Sequence, residues 1–183
     1  MEKRILFYKL DKSIIHLKKS IDKYLLICYN IIRKKGIIKM RIYFDMDGTI
    51  ANFYGVEGWL DYLVNGDATP YREAKPLINM NSLARILNRL QRKGIEIGII
   101  SWLAKNSNVE YDRMVTETKI KWLKTHLKSV KFNEIIIVPY GTPKESFATE
   151  KDILFDDEEP NRKNWKGVAY DETNIIEVLK MVA

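Results

Sequence analysis

Two aspartates stand one residue apart in the segment 45–49 (DMDGT), directly after the apolar residues 41–44. The apolar run favours a strand and Gly48 favours a turn, so the pattern predicts a strand that ends at Asp45 and Asp47. Alternate residues of a strand point the same way, which lets both carboxylates share one face. Such a pair can bind a hard cation through oxygen, and one member can attack phosphorus as a nucleophile. The plainer alternative is a strand end that runs into a polar turn.

Three further apolar runs are typical of strands, and each leads into a polar residue type suited to the same chemistry. The runs and the residues that follow them are 95–100 with Ser101, 134–138 with Lys144, and 152–155 with Asp156 and Asp157. Strands that alternate with helical segments predict a parallel sheet. Since ligands of such sheets bind at the carboxyl ends of the strands, we expect the four sets of residues to lie together.

Helical periodicity and one insert account for the segments between the strands. The remaining predicted elements are helices at 81–93, 110–127 and 174–181, and a last strand at 167–170. A small insert rich in aromatic residues follows the first strand, from Ala51 to about Asn79. The predicted fold is therefore α/β, with a Rossmann-like parallel sheet, helices on both faces and a small insert.

The order DxDGT, Ser, Lys and DD at four successive strand ends resembles the haloacid dehalogenase (HAD) superfamily of phosphatases, from Met40 to about Ala183. Within that superfamily, residues 155–161 (FDDEEPN) and 119–123 (KIKWL) are most similar to bacterial and phage members near the 5'(3')-deoxyribonucleotidases. Those enzymes have a considerably larger cap insert than this chain. The resemblance implies a Mg²⁺-dependent phosphomonoesterase that passes through an aspartyl-phosphate.

The resemblance also implies a role for each motif. Asp45 would be the nucleophile, and Asp47 would protonate the departing alcohol and then activate water. Ser101 and the backbone N–H of Trp102 would hydrogen-bond the phosphate oxygens. The superfamily's P-type ATPases have threonine at the position of Asp47, so an aspartate there favours a phosphatase.

Residue type alone does not identify the lysine of the third motif, because exposed lysines are common in loops. Lys144 follows a strand and precedes Asp156 by 12 positions, which favours it as the residue that neutralises the nucleophile and the transferring group. Lys119 and Lys121, on the preceding helix, are the rivals.

Four carboxylates can converge on a phosphate only with a cation among them. Mg²⁺ prefers oxygen ligands and keeps several waters, so a few protein ligands suffice. The resemblance assigns the side chains of Asp45 and Asp156 and the backbone carbonyl of Asp47 as ligands. Asp157 is expected to act through water.

Substrate recognition is expected from the insert and from the end of the second strand. Candidates to stack a ring are Phe53, Trp59, Tyr62, Tyr71 and Trp102, and candidates to reach further phosphates are Arg72 and Lys75. The alternative is that these aromatic residues form the packing of the insert itself.

Charge and rare residues exclude several other classes of protein. The 183-residue chain has a net charge of +7, but residues 1–39 carry +8 and residues 40–183 carry −1. The second part therefore has no general basic surface for a nucleic-acid polymer. A single cysteine, Cys28, excludes an intramolecular disulfide and favours a cytoplasmic protein, and two distant histidines, His16 and His126, disfavour a histidine-based hydrolase.

Residues 1–39 form a basic leader with an amphipathic helical pattern. Its apolar residues recur at steps of three and four, and they are Ile14, Leu17, Ile21, Tyr24, Cys28 and Ile31. The longest apolar run, 24–29, is far short of the ~20 residues that span a bilayer. Three interpretations stay open: a helix packed on the domain or on a partner, a helix on an anionic membrane surface, or an internal start at Met40.

The sequence therefore predicts a Mg²⁺-dependent phosphomonoesterase whose partner is a small phosphorylated substrate, with (deoxy)nucleoside monophosphates favoured. One alternative is a phosphatase for sugar phosphates or other small metabolites. Another is a non-catalytic binding module that keeps the HAD fold.

Overall fold

The structure is a computed structural model that describes residues 39–183. The interpretations of the basic leader fall outside these described residues. The strands are β1 (Arg41–Phe44), β2 (Ala51–Asn52), β3 (Lys75–Pro76), β4 (Glu96–Trp102), β5 (Glu134–Val138), β6 (Ile153–Phe155) and β7 (Val168–Tyr170). The helices are α1 (Trp59–Val64), α2 (Thr69–Glu73), α3 (Met80–Arg92), α4 (Val109–His126), α5 (Glu159–Asn164) and α6 (Ile175–Val182).

Five parallel strands form the central sheet in the order β5-β4-β1-β6-β7. The central strand β1 buries Ile42, Tyr43 and Phe44, as expected for a strand covered on both faces. Phe44 pairs in register with Ile99 of β4 and with Phe155 of β6. The carboxyl ends of all five strands therefore meet at one edge, as the predicted α/β fold requires.

The predicted strands agree with the observed ones to within two residues, and one difference matters for the site. The second strand was predicted to end at Ser101, and β4 continues one residue further, through Trp102. The cause is the neighbouring strand: Trp102 still pairs with Val138 of β5, beyond the point where β1 has ended. Ser101 is thus a strand residue with a backbone held by the sheet.

Side-chain caps set the beginnings of the two long helices. Asn79 accepts a hydrogen bond from the Ser82 N–H at the start of α3, and Asn108 accepts one from the Tyr111 N–H at the start of α4. α3 ends just before Gly94, whose φ of +82° lies in the left-handed region. Helices flank both faces of the sheet. No helix among residues 39–183 combines the length and the apolar character that crossing a membrane requires.

The insert between β1 and α3 is a small antiparallel ribbon with two short helices. β2 and β3 pair through Ala51 with Pro76 and through Asn52 with Lys75. The insert is anchored on α4, where the Trp122 Nε1–H donates to the Ala74 carbonyl at 2.7 Å. The fold thus has the small insert that was predicted after the first strand; the segment predicted for it, about 51–79, contains β2, both short helices and β3.

Candidate active site

The carboxyl ends of β1 and β6 place two buried aspartates side by side. Asp45 follows β1, and its N–H donates to the Phe155 carbonyl at 2.9 Å. Asp156 follows β6, and its N–H donates to the Tyr170 carbonyl at 3.1 Å. Both side chains are buried. The hydrogen bonds between strand ends therefore fix the backbone of both carboxylates.

A tight turn after β1 carries Asp47. The Ala51 N–H donates to the Met46 carbonyl at 2.8 Å, and the Gly48 N–H donates to the Ala51 carbonyl at 2.9 Å. Gly48 has a φ of +79°, which side-chain-bearing residues rarely adopt. A Cβ at this position would also collide with the Asp157 carboxylate. The glycine of the DMDGT segment thus serves both the turn and the close approach of a second acidic side chain.

Lys144 lies between the two buried aspartates. Its Nζ donates to Asp156 Oδ2 at 2.7 Å and lies 3.1 Å from Asp45 Oδ1, an ion-pair distance without hydrogen-bond geometry. The side chain is 1% exposed. Burial alone would lower the pKa of Lys144, but the charges of Asp45 and Asp156 outweigh it and raise the pKa above its ordinary value. The structure therefore brings Lys144 next to Asp45, and the two aspartates favour its charged form.

A second buried lysine, Lys119 of α4, lies beneath Asp47. Its Nζ donates to Asp47 Oδ2 at 2.6 Å, to Ser101 Oγ at 2.8 Å and to the Trp102 carbonyl at 2.6 Å. The side chain is 1% exposed, whereas Lys121 is exposed. Lys119 and Lys144 are consequently both part of the site and serve different carboxylates.

The sequence carries a signal for the second lysine. Tyr111, Val115, Lys119 and Trp122 recur at helical steps along the buried face of α4. A lysine in an apolar stripe is rarely buried unless it is paired. That position, rather than the residue type, distinguishes Lys119 from Lys121.

The end of β4 also aims a backbone amide. The Leu103 N–H donates to the Val138 carbonyl of β5 at 2.7 Å, and successive residues of a strand direct their amides to opposite sides. The N–H of Trp102 therefore points away from β5, toward the site. The Trp102 carbonyl, which accepts a hydrogen bond from Lys119, points the same way. The Ser101 side chain is fully buried and accepts a hydrogen bond from Lys119.

Asp47 is in an environment that disfavours its negative charge. Burial raises the pKa of Asp47 above its ordinary value, and the charge of Asp45 acts in the same direction, against the opposing effect of Lys119. A carboxyl group with a raised pKa keeps its proton to a higher pH than an ordinary carboxyl group does. This is the property that a general acid needs.

Asp157 is held by Thr49, which was not among the predicted site residues. The Thr49 hydroxyl donates to Asp157 Oδ1 at 2.9 Å and accepts from the Asp157 N–H at 3.0 Å. Burial, together with the nearby charge of Asp45, raises the pKa of Asp157 to about 7. The carboxyl group therefore exchanges its proton near neutral pH.

The acidic side chains fit a hard cation. Asp45, Asp156 and Asp157 each offer one carboxylate oxygen, and these oxygens lie within 4.8 Å of one another. Asp45 Oδ1 is buried and has no hydrogen-bond partner among the described residues. Buried polar atoms rarely lack a partner, and three carboxylate oxygens are ligands that divalent hard cations prefer.

Neighbours of Asp156 orient its other oxygen. The Glu158 N–H donates to Asp156 Oδ1 at 2.9 Å, and Asn161 Nδ2 lies 3.2 Å from the same oxygen. Asn161 is buried and was not among the predicted site residues. Its signal in the sequence was only its place in the segment 155–161.

Phe53, which was predicted to contact substrate, lies in the interior of the insert. Its side chain is buried and packs against Tyr71 and Trp59, with ring centroids 4.7 and 5.6 Å away. The reason is that the small insert builds its own core from aromatic side chains. The alternative considered for these residues, packing within the insert, is what the structure shows for Phe53.

The two basic candidates of the insert are not brought to the acidic cluster. Arg72 is exposed, donates to Thr69 Oγ1 at 2.8 Å and pairs with Glu73 at 3.0 Å. Lys75 is exposed on β3. Neither makes a hydrogen bond or ion pair with the acidic residues within the part of the chain that the structure describes.

Aromatic rings nevertheless border the site. Trp102 lies with its ring centroid 4.8 Å from Lys144 Nζ and 5.1 Å from the ring of Tyr140. Tyr140 is half exposed. Tyr54 is also half exposed, and burial with the charge of Asp157 raises the pKa of its hydroxyl. Trp102, a predicted substrate-contacting residue, thus lies beside the predicted catalytic residue Lys144.

The fold and the site define a Rossmann-like α/β protein with four carboxylates and two buried lysines at one edge of its parallel sheet. No protein-family model matches the chain. No curated protein matches it either.

Proposed function

We propose that the protein is a phosphomonoester hydrolase of the HAD type that depends on Mg²⁺ and acts on nucleoside monophosphates. The observation that carries the proposal is the position of Lys144 between Asp45 and Asp156, with Asp47 held separately by Lys119. The four groups lie where parallel sheets bind ligands. Phosphoryl transfer needs this combination of a nucleophile, a proton donor and fixed positive charge.

The first chemical step uses Asp45 and Asp47. A carboxylate oxygen of Asp45 attacks phosphorus, and the bond between phosphorus and the leaving oxygen breaks. The proton on Asp47 passes to that leaving oxygen, which departs as an alcohol. Lys144 stabilises the charge that accumulates on the phosphoryl oxygens. The raised pKa of Asp47 supports its part in this step.

The second step releases phosphate. Asp47, now a carboxylate, takes a proton from a water molecule. The hydroxide oxygen that forms attacks the phosphorus of the aspartyl-phosphate. The acyl phosphate bond breaks and restores the carboxylate of Asp45. When bound, Mg²⁺ would be held by Asp45, Asp156 and Asp157 and would offset the negative charge of phosphate and carboxylates.

The aromatic border supports nucleotides as substrates. The ring pair of Trp102 and Tyr140 lies beside Lys144, so a base extending from the phosphate has a surface on which to stack. Lys105 Nζ lies 5.7 Å from the centre of the Tyr140 ring and adds positive charge at the same border. This surface is the feature that separates the nucleotide proposal from a general phosphatase.

The test is a screen of phosphate release from nucleoside monophosphates, deoxynucleoside monophosphates and sugar phosphates. Each substrate is assayed with Mg²⁺ and with EDTA, and Asp45→Asn serves as the matched control for contaminating phosphatases. We expect Mg²⁺-dependent release that is fastest for nucleotides and absent in the variant. Preference for sugar phosphates would replace the nucleotide assignment. Equal release by wild type and variant would favour a binding module without turnover.

A further inference from the structure

Lys119 has no hydrogen-bonding capacity left for a substrate. An ammonium group has three N–H donors, and three acceptors surround this one: Asp47 Oδ2 at 2.6 Å, Ser101 Oγ at 2.8 Å and the Trp102 carbonyl at 2.6 Å. Lys144 differs, because among residues 39–183 it donates to Asp156 alone and ion-pairs with Asp45. Only Lys144 keeps an N–H for a phosphate oxygen.

Packing does not explain a lysine at position 119. The neighbouring buried positions on the same face of α4 are Val115, Trp122 and Leu123, so an apolar side chain would continue the stripe. A buried ion pair is often no more stable than the apolar residues that could replace it. The ring of Tyr71, 5.0 Å from Lys119 Nζ, closes the remaining side. The charge of Lys119 therefore lies at a position where the packing of α4 does not require it.

The three hydrogen bonds of Lys119 connect two segments whose relative position matters for the proposed reaction. Asp47 belongs to the turn after β1, whereas Ser101 and Trp102 belong to the end of β4. With Oδ2 of Asp47 taken by Lys119, Oδ1 is the oxygen left to exchange a proton with a leaving group. Because Ser101 Oγ accepts from Lys119, its own hydrogen is left to donate.

We propose that Lys119 is a positioning residue that holds the Asp47 carboxyl toward the leaving oxygen and does not itself bind phosphate. This inference rests on the proposed phosphomonoesterase activity. It assigns the two buried lysines different tasks: Lys144 acts on the phosphoryl group, and Lys119 acts on the proton donor.

The distinguishing measurement is the dependence of kcat/KM on the leaving group. kcat/KM reports the first step, in which Asp47 donates its proton, and a proton donor matters most when the leaving group is strongly basic. Phenyl phosphate and 4-nitrophenyl phosphate are matched in shape and differ in that basicity. For Lys119→Met we expect a loss of about 10²-fold with phenyl phosphate, within the usual contribution of a general acid, and a loss of only a few-fold with 4-nitrophenyl phosphate.

Three controls separate positioning from other roles. Lys121→Met places the same substitution two positions away on the exposed side of α4 and should leave both rates unchanged. The inhibition constant of inorganic phosphate should be unchanged in Lys119→Met. In an Asp47→Asn background, Lys119→Met should cost little more, because the residue that it positions has already lost its function.

The possible outcomes are distinguishable. An equal loss with both esters, together with weaker inhibition by inorganic phosphate, would show that Lys119 binds the phosphoryl group and would overturn the inference. If Lys119→Met is insoluble, Lys119→Gln in the wild-type and Asp47→Asn backgrounds gives the same comparison, and additive losses would overturn it. If wild type and Asp45→Asn are equally inactive on every ester, the proposed function fails and the inference fails with it.

Discussion

Asp45 and Asp47 are separated by one residue, yet their partners differ. Among the described residues, Asp45 Oδ1 is buried and pairs with Lys144 without making a hydrogen bond, whereas Asp47 accepts a hydrogen bond from Lys119. Burial raises the pKa of Asp47. Two carboxylates of the same type thereby acquire the different properties that a nucleophile and a proton donor require.

The first prediction separates these two aspartates. Asp45→Asn should abolish turnover, because the amide is a poor nucleophile and a weaker cation ligand. Asp47→Asn should lower kcat by ~10²–10⁴, the usual contribution of general acid–base catalysis, and leave phosphate binding largely in place. Steady-state kinetics with circular dichroism spectra of both variants make the test. If both variants fold and change KM alone, neither assigned role is correct.

The second prediction concerns pH and Asp157. Its pKa of about 7 in the folded protein lies above the ordinary carboxyl value, so the folded state binds more protons than the unfolded state between these values. Without metal, Asp157 should therefore make stability fall as pH rises toward 7. Added Mg²⁺ favours the carboxylate, so the increase in Tm that it causes should be larger at pH 8 than at pH 5.5.

Thermal melts of wild type and Asp157→Asn, with Mg²⁺ and with EDTA, test this linkage. The variant should lose much of the pH dependence of the Mg²⁺ effect, because its amide does not titrate. An effect of Mg²⁺ that is the same at both pH values in wild type would contradict the assignment of Asp157 to the cation site.

At the scale of elements, the turn between β1 and β2 brings Gly48 against Asp157, one of the three carboxylates of the proposed cation site. The third prediction is that Gly48→Ala weakens Mg²⁺ binding as well as stability, because the new Cβ would meet the Asp157 carboxylate. Gly94→Ala is the matched control: Gly94 has a similar φ of +82°, and nothing lies within 4 Å of the Cβ position. Both substitutions incur backbone strain of order 1 kcal/mol or more.

Calorimetric titration with Mg²⁺ and thermal melts distinguish the two effects. Gly94→Ala should lower Tm without changing the dissociation constant of Mg²⁺. If Gly48→Ala also lowers Tm without changing the dissociation constant of Mg²⁺, the contact between position 48 and the Asp157 carboxylate has no part in cation binding.

The strands and helices were predictable because each follows from the local pattern of apolar residues. Some contacts within the site were not predictable in this way. Strand β1 and helix α4 are evident from apolar runs and helical spacing, and the parallel order of the sheet explains why Asp45 and Asp156 meet. The contact of Lys119 with Asp47 spans 72 positions and depends on how α4 packs. The burial of Phe53 was equally hard to foresee, because it depends on how the small insert packs its own aromatic rings.

At the scale of the whole molecule, charge and chemistry occupy different parts of the chain. Residues 1–39 carry +8, whereas every group assigned to the site lies between Asp45 and Asn161. Residues Met40–Ala183 form one compact unit that contains the complete parallel sheet. The catalytic chemistry proposed for this unit requires no residue from the basic leader.

The fourth prediction follows from that separation: a shortened chain that begins at Met40 should fold and keep the kcat/KM of the full chain. The measurements are nucleotide hydrolysis and thermal melts of both forms.

An amphipathic helix packed on this unit would give a different result. Its removal would expose apolar surface worth ~1.5–3 kcal/mol for each large aliphatic side chain, so the shortened chain would aggregate or melt at a much lower temperature. An unchanged Tm with full activity would show that the leader is dispensable for catalysis, whereas an insoluble product would place it within the fold.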